Sequence, residues 1–147
     1  MKRAERLEPV KKIVDENERR LAEKAAGAER VLVSAEQKLQ ELVLYRGDYT
    51  NGLISRAGAG MGARELVDYQ AFLVRLDAAI NQQSKVVHQL RSERDAQRQL
   101  WMEAAQRARS MGHVIEGWQL EEQRLMLRRE QRETDERAQR RRVARHE

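Results

Sequence analysis

Apolar residues recur at alternating steps of three and four along the first third of the chain, the spacing of a coiled-coil helix. The positions that repeat every seven residues, and the alternate positions between them, are Leu7, Val14, Leu21, Ala28, Ala35, Leu42 and Tyr49, with Val10, Ala25, Leu32 and Leu39. This pattern predicts a helix from about residue 5 to about residue 55.

A glycine-rich stretch, SRAGAGMGARE, follows this first pattern. Gly58, Gly60 and Gly62 fall within a few residues of one another. Glycine is costly inside a helix and suits a turn, because it adopts backbone conformations that other residues avoid. The stretch therefore predicts a turn over about residues 57–63.

The spacing of three and four resumes after the turn and predicts a second helix over about residues 64–142. Its seam runs through Leu66, Tyr69, Leu73, Leu76, Ile80, Gln83, Val87, Leu90, Arg94, Gln97, Trp101, Ala104, Ala108, Met111, Ile115 and Trp118. Beyond Trp118 the sequence is mostly charged, so the seam stops there while a helical overhang continues.

The two seams fit an antiparallel arrangement in which residues whose numbers add up to about 120 lie opposite each other. Leu7 then faces the end of the second seam, so both seams stop together. We predict an all-α fold: one long antiparallel two-helix coiled-coil hairpin over residues 1–147, with a C-terminal helical overhang. The same rule places Asn17, Glu23 and Lys24 opposite the polar seam residues Arg94 and Gln97, which predicts a polar layer.

Composition agrees with a long-helix protein rather than a globule with a large core. Aromatic residues make up 4% of the chain and charged residues 36%, and Pro9 is the single proline. The chain has no cysteine, which excludes disulfides and thiolate metal sites. The N-terminus lacks the apolar core of a signal peptide and the longest apolar run, residues 42–45, is far too short to span a membrane, so we expect a soluble intracellular protein.

The pattern gives no sign of an enzyme, because a two-helix hairpin offers no cleft in which catalytic groups could converge. The GAGMG segment lacks the preceding strand and the following Gly-Lys-Ser/Thr of a phosphate-binding loop, so we interpret it as a turn. His88, His113 and His146 are too far apart along the helices to share a metal. We therefore expect no catalysis, no cofactor and no metal.

The C-terminal arginines Arg140, Arg141, Arg142 and Arg145 form the one basic cluster, within a chain of formal charge +5. This cluster is either a solvated helix end or a site for an acidic protein surface or nucleic acid. No aromatic residue stands among the arginines to stack on a base, which favours protein over nucleic acid.

The segment YQAFLVRLDAAI, residues 69–80, carries two apolar stripes where a two-helix seam needs one. Phe72, Leu76 and Ala79 make the second stripe, beside the seam. Facing residues have numbers that add up to about 120, and by this position rule the stripe lies opposite Leu42, Tyr45 and Tyr49. Surplus apolar surface of this kind predicts a partner-binding site, although a third helix, from a second copy or from a folded-back tail, could also cover it.

Several stretches resemble the flagellar FliJ protein family over nearly the whole length. They are LQELVLYRGDY, LVDYQAFLVRLDAAINQQ, the isolated Trp101 and REQRETDERA. The resemblance implies a bacterial component of the flagellar type III export apparatus, serving flagellum biogenesis, motility and chemotaxis, whose coiled coil is similar to the rotor stalk of rotary ATPases without being an ATPase.

The resemblance also implies partners and a location. The partners are the hexameric flagellar export ATPase, the cytoplasmic domain of the export-gate membrane protein and the flagellar export chaperones. The location is cytoplasmic, peripheral at the inner membrane through the export apparatus. The patch that binds a partner in this family maps onto Leu42, Tyr45, Tyr49, Phe72, Leu76, Ala79 and Gln83.

Two alternatives remain at this stage: a basic coiled-coil protein that binds nucleic acid, and the stalk of a virulence needle system. Binding to nucleic acid would weaken steeply with salt, whereas binding through an apolar patch would not. We expect no nucleic acid partner, and a monomer when the chain is alone.

Overall fold

The computed structural model describes residues 2–146, and within them it contains two helices and no strand. Helix α1 spans Arg3–Ala59 and helix α2 spans Ala63–His146. The two long helices pack against each other, which confirms the predicted all-α hairpin. Within residues 2–146 neither helix contains a stretch that is long and apolar enough to cross a membrane.

The turn between the helices is shorter than the glycine spacing suggested. It comprises residues 60–62, and Gly58 is still part of α1. Gly60 has a φ of 97°, a left-handed conformation that glycine adopts without steric cost. Its N–H donates to the carbonyl of Ala57 at 3.3 Å, which closes the end of α1.

The chain divides into two compact units, and the larger one, Arg20–Met102, contains the turn. Its buried residues are Leu32, Ala35, Leu76 and Val87. Leu32, Ala35 and Val87 form one cluster, with Leu39, Val86 and Leu90 packed against it. Leu32 is only 1% exposed. The predicted seam positions of both helices therefore form the core of this unit.

The other unit comprises Met1–Arg19 and Glu103–Glu147. Its buried residues are Ala4, Ala104 and Ile115. The guanidinium of Arg3 lies 5.7 Å from the centre of the Trp118 ring, a cation–π distance. From residue 123 to residue 146 the helix is fully exposed, as predicted for an overhang.

Burial follows the predicted seam of α2 almost without exception. Every seam residue from Tyr69 to Trp118 is buried or half-buried, and Leu66, beside the turn, is exposed. In α1 the prediction for Val10 was wrong, because Val10 is exposed while Ala4, Leu7, Lys11 and Val14 carry the seam. Lys11 is half-buried at this seam position, and its ammonium lies 3.7 Å from the carboxylate of Asp15. A lysine can occupy such a position because its long apolar stem can be covered while its charge stays in water.

A polar layer is present between the helices at Arg94, but its acidic residue from α1 is Glu29 and not the predicted Glu23. Arg94 donates from Nη1 to Oε2 of Glu29 at 3.2 Å and from Nε to Asp95 at 2.8 Å, and Arg98 reaches Glu29 at 3.5 Å. The hydrogen bond to Glu29, and then that to Asp95, raises the pKa of Arg94. Because the arginine side chain is long, it reaches about one turn beyond the residue directly opposite.

Candidate partner-binding site

Four aromatic side chains, two from each helix, meet in the larger unit, and we call Tyr45, Tyr49, Tyr69 and Phe72 the aromatic cluster. The ring centre of Tyr49 lies 4.6 Å from that of Tyr69 and 4.5 Å from that of Phe72. Tyr45 lies 6.3 Å from Tyr49 and meets Phe72 nearly edge-on at 6.2 Å. Tyr49 is therefore the centre of the cluster.

Helical spacing explains why these rings come together. Tyr45 and Tyr49 are four residues apart on α1, and Tyr69 and Phe72 are three apart on α2, so each pair shares one helix face. The antiparallel packing brings the two faces into contact. Aromatic pairs in such geometries contribute about 0.5–1.5 kcal/mol beyond the area they bury.

The aromatic cluster is only partly covered. Tyr45 is 51% exposed, whereas Tyr49, Tyr69 and Phe72 are half-buried. Leu76, one turn further along α2, is buried in the core, and Ala79, one turn beyond that, is exposed. The result is an apolar surface anchored on the core but open to solvent, the kind of surface that binds a protein partner.

The surroundings of Tyr49 disfavour loss of its hydroxyl proton. Loss of solvent contact raises the pKa of the Tyr49 hydroxyl above its ordinary value of 10.0, and the neighbouring Tyr69 and Tyr45 raise it further. Arg56 lies over the Tyr69 ring, 5.7 Å from its centre. The pKa shift of Tyr49 thus reflects its central position among the other rings.

An ion pair joins the two helices beside the aromatic cluster. Arg46 donates from Nε to Oδ1 of Asp77, and its Nη2 lies 3.4 Å from Oδ2. The hydrogen bond to Asp77 raises the pKa of Arg46, and the charge of Asp77 adds to this effect. Arg46 is next to Tyr45 along α1, so this contact between the helices lies one residue from the aromatic cluster.

The seven residues predicted from the resemblance occupy different environments in the structure. Tyr45 and Ala79 are exposed, Leu42, Tyr49 and Phe72 are half-buried, and Leu76 is buried. Gln83 is half-buried, and its Nε2 donates to the carbonyl of Ala35 at 3.0 Å, so it links the helices.

Sequence reasoning missed two features of this site. Tyr69 was assigned to the seam, yet its ring also belongs to the aromatic cluster. The ion pair between Arg46 and Asp77 was not considered, although the position rule places these residues nearly opposite each other. A search for opposite charges at facing positions would have found it.

The smaller unit has a separate apolar groove of about 630 Å³ between its two helical segments. Its lining residues are Leu7, Val14, Glu103, Gln106, Arg107, Ser110, Met111 and Val114. Leu7, Val14 and Met111 are half-buried seam residues, and Val114 is exposed beside them. The end of the coiled coil therefore has apolar surface of its own.

Two further predictions concern metal binding and the basic cluster near the C-terminus. Within residues 2–146 no three His, Cys, Asp or Glu side chains come close enough to hold a metal ion. Arg140, Arg141, Arg142 and Arg145 are all exposed on the last turns of α2. The C-terminal arginines therefore form a solvent-exposed basic helix end.

Fold and surface together define the chain as a helical coiled-coil protein with a partly exposed aromatic cluster. The sequence model of the family described as "Flagellar FliJ protein" matches residues 1–147, and the chain belongs to that family. It is accordingly a component of the flagellar export system.

Two curated relatives bear the same description. The chain is 29% identical over 113 residues to the flagellar FliJ protein of Escherichia coli strain K12, covering 77% of this chain and 69% of the relative. It is 29% identical over 108 residues to that of Salmonella typhi, covering 74% of this chain and 66% of the relative. No solved structure gives a significant match.

Proposed function

We propose that the protein is a stalk-like adaptor that couples the flagellar export ATPase to the export gate and escorts export chaperones, acting by binding rather than catalysis. Its place is cytoplasmic, peripheral at the inner membrane through the export apparatus. The observation that carries the proposal is the half-open aromatic cluster on a coiled-coil hairpin of this family. Because the matched relatives are flagellar proteins, we prefer the flagellar apparatus to a needle system.

The gate's cytoplasmic domain binds the aromatic cluster and its neighbours. Tyr45 and Ala79 supply exposed surface, while Tyr49 and Phe72 supply ring area that is already ordered by packing. Aromatic groups that are pre-ordered lose little conformational entropy on binding, which is why they dominate many interfaces. Leu76 and Gln83 support the site from the core and from the helix contact.

An exposed alanine offers the sharpest test of the gate site. Ala79→Arg places a long charged side chain on the proposed interface without disturbing the core, because Ala79 is exposed. Ala96→Arg is the matched control, since Ala96 is also exposed on α2 and lies outside the site. We expect Ala79→Arg to weaken binding to the gate domain at least tenfold, or by roughly 1.4 kcal/mol, and Ala96→Arg to leave it unchanged. Equal binding by both variants would exclude this face.

The ATPase docks on the smaller unit, through the first turns of α1 and the overhang after residue 120. This unit has the apolar groove beside Leu7 and Met111 and an exposed helix with basic residues at its end. Deleting residues 121–147 should abolish co-purification with the ATPase while gate binding persists. If the shortened chain still binds the ATPase, the overhang has no such role.

Chaperone escort is the part of the proposal that rests on family membership alone. Purified export chaperones without cargo should co-elute with the full chain. The Ala79→Arg variant shows whether they share the gate site, because it should then lose both partners together. If no chaperone co-elutes, this part of the proposal is wrong.

A further inference from the structure

The first four turns of α2 carry a third apolar stripe, which neither the seam nor the aromatic cluster uses. Its residues are Ala63, Val67, Ala71, Val74 and Ala78, and we call them the valine face. All are exposed, Val67 by 61% and Val74 by 68%. At 100° per residue they lie on the side of α2 opposite Leu73, Leu76 and Ile80.

The spacing of the valine face is that of a coiled-coil seam. Val67, Ala71, Val74 and Ala78 follow one another at steps of four, three and four. The stripe ends at Asn81 and Lys85, which are polar and exposed, so it is a short seam of about four turns. A contiguous apolar seam that faces solvent on a highly charged helix indicates a further helix contact.

We propose that the valine face pairs with the same face of a second copy of this chain, with the two α2 helices antiparallel. In that arrangement Val67 lies opposite Ala78 of the other copy, and Ala71 lies opposite Val74. Each valine therefore meets an alanine, and the four layers are related by a two-fold axis. A self-complementary pattern of this kind is what a symmetric two-fold interface requires.

Flanking charges favour a second copy and an antiparallel orientation. Asp68 and Arg75 are seven residues apart, so they border the same side of the valine face, and both are exposed. In the antiparallel pair Asp68 of each copy faces Arg75 of the other, which gives two attractive contacts. A parallel pair would instead place Gln70 beside Arg75 and Asp77 beside Gln82, with no opposite charges together.

The sequence of the valine face makes this pairing weak, because a short seam of valine and alanine buries less area than a stable protein interface. The chain is then monomeric when dilute and pairs at high local concentration, as in an assembly that gathers several copies. Pairing would present two aromatic clusters at once, which raises apparent affinity for a multivalent partner without new contacts.

The first test is sedimentation equilibrium of the full chain up to concentrations on the order of 1 mM. Val74→Asp should raise the dissociation constant for self-association by at least about tenfold, because it places a charge in the seam. Val31→Asp is the matched control, since Val31 is 53% exposed on α1, away from the valine face. A parent chain that stays monomeric throughout, or equal effects of the two variants, would overturn the proposal.

The second test reverses the charges of Asp68 and Arg75 and leaves the apolar residues of the valine face unchanged. Asp68→Arg alone and Arg75→Asp alone should each weaken self-association, because each puts like charges opposite each other. An equimolar mixture of the two variants should associate again, since every contact in the mixed pair is then Arg with Asp. A mixture that stays monomeric, while circular dichroism shows both variants helical, would exclude the antiparallel pairing.

Discussion

The two stretches of α2, residues 69–118 and residues 123–146, are both continuous helix but differ in what they bury. In the first, every seam residue is buried or half-buried, whereas in the second every residue is exposed. Apolar side chains are present in both, and Leu125, Met126 and Leu127 remain in solvent. Helix formation thus follows residue propensity, whereas burial requires a sustained seam and a partner helix.

The difference extends to the exposed apolar groups. Beside the seam, the rings of the aromatic cluster pack against one another across the two helices. In the overhang, Leu125, Met126 and Leu127 are exposed. Substitutions in the two stretches should therefore differ in their effect on stability.

The same leucine-to-alanine substitution should lower the free energy of unfolding strongly in the core and hardly at all in the overhang. Leu32, 1% exposed, lies in the core of the larger unit, whereas Leu127 is 63% exposed in the overhang. Leu32→Ala should lower the free energy of unfolding by roughly 2–5 kcal/mol, and Leu127→Ala should change it by less than about 0.5 kcal/mol. Urea unfolding followed by circular dichroism measures both, and similar losses would refute the distinction.

Phe72→Ala should fall between these limits, because Phe72 is half-buried against Tyr49 and Tyr45. We expect a loss of about 1–3 kcal/mol, less than the roughly 3–5 kcal/mol typical of a fully buried phenylalanine. Phe72→Leu, which keeps apolar bulk, is the control and should recover most of the stability. A loss above about 3 kcal/mol, in the range of a fully buried phenylalanine, would mean that Phe72 is core rather than binding surface.

Removing the charge of Asp77 should have a smaller effect. Its pair with Arg46 is close and two-pronged, but the side chains are 49% and 41% exposed, so water screens them. Asp77→Asn should cost about 1 kcal/mol or less, and the cost should shrink with salt. Glu36→Gln is the comparison, because Glu36 and Arg91 are 3.7 Å apart and should contribute less. Equal costs would show that the closer geometry adds nothing.

The smallest effect concerns pH. The folded-state pKa of Tyr49 is raised, so its stabilising contribution is present below its unfolded pKa near 10 and is lost as pH rises through the folded value. The parent chain should therefore lose stability above about pH 10, and Tyr49→Phe should lose less over the same interval. Urea unfolding at a series of pH values tests this, and parallel losses in both chains would contradict it.

The seam, the turn and the overhang could be predicted because they depend on the spacing of residue types along the chain. The wrong predictions concern how far long side chains extend, and the spacing of residue types along the chain does not encode that. Lys11 rather than Val10 is half-buried at the seam, and Arg94 reaches Glu29 rather than a residue directly opposite.

The candidate site shows the same limit. The sequence pattern showed its apolar residues as a second stripe. It did not show how much of each side chain is buried. Whether Tyr69 joins the aromatic cluster depends on ring orientation, and that appears only when the two helices are placed together.

Hydrogen exchange across the whole chain, alone and with the gate's cytoplasmic domain, distinguishes gate binding at the aromatic cluster from gate binding at the overhang. Alone, residues 69–118 should be protected and residues 123–146 should exchange fastest, because the overhang has no seam to bury. With the gate domain, added protection should appear around residues 42–49 and 72–83 and not in the overhang. Added protection confined to residues 123–146, with none at the aromatic cluster, would contradict the account.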